Sequence, residues 1–412
     1  MLKIVDSRNR RAVRALIAPE RIRDAATERA VARIIAGVRA RGDVALRAYA
    51  RRFDGLDRPM EVSADEIADG ARRTPAAVRR ALRDAARRIR AVARRQVPKG
   101  WRATVAPGVT VEQRIIPLDR VGCYVPGGRY PLPSSLLMTA IPAREAGVRE
   151  IVAVCPRLDP AVLAAAKEAG VTRLFQLGGA HAIAALAYGT ATVPRVDKIV
   201  GPGNRYVSAA KARVSADCAI DFYAGPTEIV IVSNTGPASW IAADLIAQAE
   251  HDPDARAVFV TSSRRLAEAV ARAVREQMPP DGPARTSLAR HGGIIVTASI
   301  EEAMALANEA APEHLVCGTE AIARMATAAG SIFVGPWTAQ VAGDYAIGSN
   351  HVLPTAGAAR FRGGLSAADY VRQVTVQRVS RRGLGAIGAT VVALARAEGL
   401  EGHARSIEVR TR

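Results

Sequence analysis

The residues able to do chemistry in this 412-residue chain gather in a few short stretches. Asp244-Leu-Ile-Ala-Gln-Ala-Glu-His-Asp-Pro253 reads as the end of an amphipathic helix stopped by its proline. Gln248 and His251 are three apart, so they project from one face near the helix C-terminus. A side-chain carbonyl and an imidazole so placed can supply two ligands to a metal; a helix end capped by a surface histidine is the alternative. Ala311-Pro-Glu-His-Leu315 breaks a helix at proline and sets the carboxylate of Glu313 beside the imidazole of His314. Such a pair can take and return protons near neutral pH, or simply form a polar turn. Gly343-Asp344-Tyr345, Asn350-His-Val-Leu-Pro354 and Glu401-Gly-His-Ala404 add polar groups to glycine-rich loops. Four of the six histidines (His251, His314, His351, His403) lie in these loops and helix ends.

Two glycine turns complete the set. Gly201-Pro-Gly-Asn204 follows a strand-like run and opens a helix-like one, where backbone N–H groups can meet phosphate. It lacks the third glycine of the dinucleotide fingerprint, so a tight turn and a binding loop both remain open. Tyr124 stands beside Pro126-Gly-Gly128, placed to stack on a ring or to pack.

The elements that must hold these groups follow a regular alternation. Residues 1–100 read as helices, and β-branched alternation follows over 105–117. Strand-like runs lie at 150–154, 173–177 and 198–200, with helix-like runs at 134–146, 161–169, 180–187 and 205–214. The alternation restarts with strands at 228–232, 257–261, 293–296, 315–317 and 331–334, separated by helices at 240–250, 266–277, 301–310 and 321–328. Short apolar strands alternating with amphipathic helices indicate α/β architecture with parallel sheets covered on both faces. Four units are expected: a helical segment 1–104, α/β domains 105–222 and 223–360, and a helical segment 361–412.

Composition narrows the function classes. The formal net charge is +19, yet residues 1–102 carry 27 Lys+Arg against 12 Asp+Glu, and residues 361–412 carry 9 against 4. The middle is nearly neutral. Basic ends invite a nucleic-acid reading, but the arginines of 77–90 alternate with Ala, Val, Leu and Ile at helical spacing, as on a solvated helix face. No aromatic interleaving accompanies them. Nothing resembles a signal peptide or an apolar span of ~18 residues, and the four cysteines form no C-x-x-C. A cytoplasmic protein with no membrane or nucleic-acid partner is expected.

Eight stretches in order carry a family resemblance: Tyr124-Val-Pro-Gly-Gly128, Gly201-Pro-Gly-Asn204, Ala224-Gly-Pro-Thr-Glu228, Gln248-Ala-Glu-His-Asp-Pro253, Ala311-Pro-Glu-His-Leu315, Gly343-Asp-Tyr345, Asn350-His-Val-Leu-Pro-Thr355 and Glu398-Gly-Leu-Glu-Gly-His403. Together they resemble the histidinol dehydrogenases. The resemblance implies two incomplete Rossmann-like domains with small terminal domains in an intertwined homodimer. It implies Zn²⁺ held by Gln248, His251 and Asp344 of one chain and His403 of its partner. It further implies NAD contacts from Tyr124, His181 and Asn204, and L-histidinol contacts from Thr227, Gln248, His251, His314, Asp344, Glu398 and His403. His314 would be the general base for the alcohol, and Glu313 would activate water on the aldehyde. A paralogue oxidising another polar alcohol, such as a diol sulfonate, is the alternative within the class. Three departures from the family pattern stand out. Thr227 stands for serine, His181 for glutamine, and Arg129-Tyr130 for smaller residues.

Overall fold

The computed structural model describes residues 2–18, 24–127, 130–223 and 225–411. Its body is two six-stranded sheets in succession, each packed between helices. The first runs Glu61–Val62, Arg173–Phe175, Glu150–Val154, Arg120–Tyr124, Lys198–Val200, Ala219–Ile220 across its width. The second runs Lys3–Asp6, Gly292–Val296, Arg256–Thr261, Glu228–Val232, His314–Cys317, Ser331–Val334. All neighbours are parallel except Glu61–Val62, which pairs antiparallel with Arg173–Phe175. Counted within each half, both sheets share the strand order 3-2-1-4-5 of doubly wound folds, with one extra strand beside strand 3.

The central strands are continuous apolar runs because both faces are covered. Glu228–Val232 and Arg256–Thr261 are buried at every position. The helices between them obey the same logic. Asp159 and Asn204 accept N–H bonds at the starts of Pro160–Ala169 and Arg205–Val214, and a left-handed Gly170 ends the former.

The terminal segments differ from the helical expectation. Lys3–Asp6 and Glu61–Val62 lie at the edges of the two sheets, and 25–96 packs its helices on the first sheet's helices. In Ala76–Gln96 the apolar stripe Leu82, Ala86, Ile89, Ala93 is buried. Arginines beside it pair with acids of neighbouring helices, Arg90 with Glu168 and Arg94 with Glu145. In 361–412 a strand, Val371–Val379, precedes the helices Arg381–Ala397 and Glu401–Thr411. That strand joins Val109–Pro117 and Trp101–Ala106 in a third, antiparallel sheet, so residue 105 lies inside a strand. Few of its side chains are buried on either face. Only Glu320–Ala323 of the expected 321–328 helix forms, and Ala284–His291 is a helix the periodicity did not predict.

Candidate active site

Thr227 immediately precedes the strand Glu228–Val232, and Glu313 immediately precedes His314–Cys317, its parallel neighbour. The helix Ala238–Ala249 returns to this amino edge of the sheet, bringing Gln248. Three side chains then bond in series. Gln248 Nε2 donates to Thr227 Oγ1 at 2.5 Å, and the Thr227 hydroxyl donates to Glu313 Oε2 at 2.5 Å. The Glu228 backbone N–H donates to the same carboxylate oxygen at 3.0 Å. Because the single threonine proton is directed at Glu313, Gln248 must offer its amide N–H there. Its Oε1 is thereby left buried with no donor.

His314 stands beside this series. Its Nδ1 lies 3.1 Å from the Glu228 carbonyl, an arrangement that fixes the Nδ1–H tautomer and leaves Nε2 as a lone-pair acceptor. Nε2 is buried and has no partner. Burial pushes His314 down to about 4 and Glu313 up to about 8; the Thr227 and Glu228 donors oppose the latter shift. Burial likewise raises Glu228 to about 7, against the pull of Arg256.

Asp344, on the short helix Val341–Tyr345, is buried and accepts from Gln340 Nε2 at 3.0 Å. Its carbonyl faces His351 Nδ1 at 3.0 Å, and His351 Nε2 lies 3.4 Å from Ser135 Oγ. Ser135 sits in the first turn of Pro133–Glu145, the helix that follows strand Arg120–Tyr124. His351 and Asn350, which donates to the Met138 carbonyl, therefore tie the amino edge of the second sheet to the carboxyl edge of the first.

The donor set suits a metal as far as one chain carries it. Gln248 presents a buried carbonyl oxygen without a hydrogen, and Asp344 presents a carboxylate. His251, exposed at the helix end, meets Ala247 O through Nδ1 at 3.1 Å, which leaves Nε2 as its acceptor. Oxygen and imidazole donors of this kind fit zinc. Among the described residues, no three His, Cys, Asp or Glu side chains form a metal-holding group. His403 and Glu398 are exposed on the C-terminal helices, which pack mainly on each other.

Of the three residues expected at the nucleotide, two are buried and one is exposed. Tyr124 is 3% exposed, so it presents no open ring face, and its hydroxyl accepts from Gly179 N–H at 3.1 Å. His181 is 1% exposed and bonded to Asp54. Asn204 is exposed, and its side chain caps the helix Arg205–Val214 by accepting from the N–H groups of Tyr206 and Val207. Gly201, at φ +112°, brings its turn against the Tyr124 carbonyl. Its N–H donates to Asp221 Oδ2 at 2.8 Å and its carbonyl accepts from Lys211 Nζ at 2.9 Å; Lys211 and Asp221 form a buried ion pair. Gly128, Arg129 and Ala224 of the sequence motifs lie outside the described residues.

Sequence reading missed Gln340, Asp54 and the bridging role of His351. Gln340 lies one helical turn before Asp344, a spacing that could have exposed it. Asp54 is 127 positions from His181 and carries no local signal.

The family model for histidinol dehydrogenase matches residues 18–411. The histidinol dehydrogenase of Methanothermobacter thermautotrophicus is 46% identical over 374 residues, spanning 88% of each chain. That of Caulobacter vibrioides is 46% identical over 370 residues, spanning 87% of this chain and 86% of its own. A crystal structure of histidinol dehydrogenase from Elizabethkingia anophelis superposes with a TM-score of 0.94 at 32% identity, over 99% of this chain and 98% of that one.

Proposed function

The chain belongs to the histidinol dehydrogenase family, and on that premise we propose that it oxidises L-histidinol through histidinaldehyde to L-histidine, reducing two NAD⁺. The observation that carries this reading is the unpartnered, buried His314 Nε2 beside the Gln248–Thr227–Glu313 series. Neither a diol-sulfonate alcohol nor nucleic acid is favoured as the ligand by the family.

In this reading the Glu228 carbonyl holds His314 in the tautomer whose Nε2 takes the alcohol proton as the hydride leaves carbon. Burial keeps the imidazole neutral and ready to accept. The aldehyde then adds water, whose proton passes to Glu313, oriented by Thr227 and the Glu228 N–H. Loss of a second hydride from the hydrate leaves the carboxylate. The sum is alcohol, water and two NAD⁺ in, carboxylate, two NADH and three protons out. When bound, zinc supplies an electrophilic anchor for substrate nitrogens and NAD⁺ the hydride acceptor. Gln248, His251 and Asp344 would hold the metal, with His403 from a second subunit, and Glu398 would meet the substrate there. Tyr124 and Asn204 frame the nucleotide turns at the carboxyl edge of the first sheet.

We read the two sheets as incomplete Rossmann-like domains, 105–222 and 223–360, and the segments 1–104 and 361–412 as building a homodimer with shared sites. No helix of the described residues is long and apolar enough to cross a membrane. Incubating the purified chain with histidinol and NAD⁺ should give two NADH per histidine, and chelation should abolish turnover. One NADH with accumulating aldehyde, or no turnover, would sink the reading.

A further inference from the structure

The turn Gly178-Gly179 opens the helix Gly179–Tyr188 just beyond strand Arg173–Phe175. At such a place in a doubly wound sheet, free N–H groups ordinarily receive a phosphate. Here the N–H groups of both glycines are taken. Gly178 N–H donates to Asp54 Oδ2 at 3.0 Å, and Gly179 N–H donates to the Tyr124 hydroxyl at 3.1 Å. The same Asp54 Oδ2 lies 2.8 Å from His181 Nε2.

This is a built arrangement, assembled from distant parts of the chain. Asp54 ends the π-helical turn Ala50–Asp54. Its side chain is 7% exposed and that of His181 1%. Phe53 stacks on the His181 ring at 5.9 Å, with Tyr49 at 6.2 Å. A Cβ on Gly178 would lie 2.7 Å from Pro156 and 3.0 Å from Asp54 Oδ1, so the turn is closed around the carboxylate. A negative side chain at a helix N-terminus satisfies the orphan N–H and the helix dipole together. The two glycine N–H groups are thus satisfied from within the chain.

We infer that Asp54, oriented by His181, is a positioning residue that fixes the Gly178–Gly179 turn and, through the Gly179 N–H, the hydroxyl of Tyr124. His181 then acts on the nucleotide at second hand, through Asp54 and the turn it holds. The inference rests on the reading that NAD⁺ binds along the carboxyl edge of the first sheet. It also accounts for histidine at position 181, since a ring N–H or a glutamine amide N–H can serve equally as donor to Asp54.

The test compares full-length Asp54→Asn, His181→Ala and His181→Gln with the wild type in histidinol oxidation, varying each substrate in turn. Removal of a charge-assisted hydrogen bond should raise the KM for NAD⁺ about ten-fold in Asp54→Asn and His181→Ala, leaving the KM for histidinol within about two-fold. His181→Gln should restore the KM for NAD⁺. Calorimetric titration with NAD⁺ should give the same order. An unchanged KM for NAD⁺ in the first two variants would overturn the inference. So would a His181→Gln as impaired as His181→Ala, which would mean direct contact between imidazole and nucleotide. Both KM values rising together with a lowered melting temperature would make the pair merely structural. Should Asp54→Asn fail to fold, the two His181 variants carry the same comparison. A wild type inactive on histidinol would instead remove the functional reading itself.

Discussion

Burial governs the individual residues of the site. It depresses the basicity of His314 and raises the pKa of Glu313, pushing two adjacent groups apart so that each can take a different proton role. Glu313 must ionise to act on water, so turnover should climb as pH rises toward about 8, or lower once a cation is held nearby. Glu313→Gln should remove that limb and cost roughly 10²–10⁴-fold in kcat, read from pH–rate profiles of both proteins. A surviving limb would assign it to another group. The same variant has a second, opposite effect. Between 4.5 and about 8 the folded state keeps a proton on Glu313 that the unfolded chain has released, so stability falls as pH rises across that window. Glu313→Gln escapes this loss and should be more stable than wild type at pH 8, by on the order of 3 kcal/mol, with little difference at pH 4.5. Denaturant titrations at the two pH values check it.

At the scale of elements, glycine turns are held by buried charges. Lys211, on Arg205–Val214, and Asp221, just after Ala219–Ile220, hold the carbonyl and the N–H of Gly201 respectively while pairing with each other. Lys211→Met would leave the Asp221 carboxylate buried without its cation and should cost about 3–5 kcal/mol in denaturant unfolding. Adding Asp221→Asn should recover part of that loss; a double variant as unstable as the single would argue against an ion pair. The turn at Gly201 and the body of both sheets were legible in sequence. Runs such as Glu228–Val232 and helices such as Arg205–Val214 announce themselves by local periodicity and by caps such as Asn204. Lys3–Asp6, Glu61–Val62 and Val371–Val379 did not, because their partners lie far along the chain and the third sheet lacks a buried face to impose alternation. The site divides the same way. Gln248, Glu313 and His314 stand in recognisable stretches, whereas the inward burial of Tyr124 and His181 depends on Gly179 and Asp54, which no spacing connects to them.

At the scale of the whole molecule, the basic ends belong to the parts outside the two sheets' centres. The charge of +19 resides in helices such as Ala76–Gln96, whose arginines line a solvated face, and in the arm that bears Glu398 and His403. If that arm completes a site on another subunit, co-expressed His314→Ala and His403→Ala chains should complement each other. Half of randomly paired dimers would be mixed, each with one intact site, giving about a quarter of wild-type activity where either variant alone gives almost none. Absence of complementation would put the site within one chain. The strand Lys3–Asp6 has a consequence of another kind. It pairs in register with Gly293 onward, 290 residues later. During synthesis at about 5–20 residues per second, this strand must therefore wait roughly 15–60 s for its neighbour to leave the ribosome. The first sheet is complete well before then, so a strand made ahead of that sheet finds its own place after it.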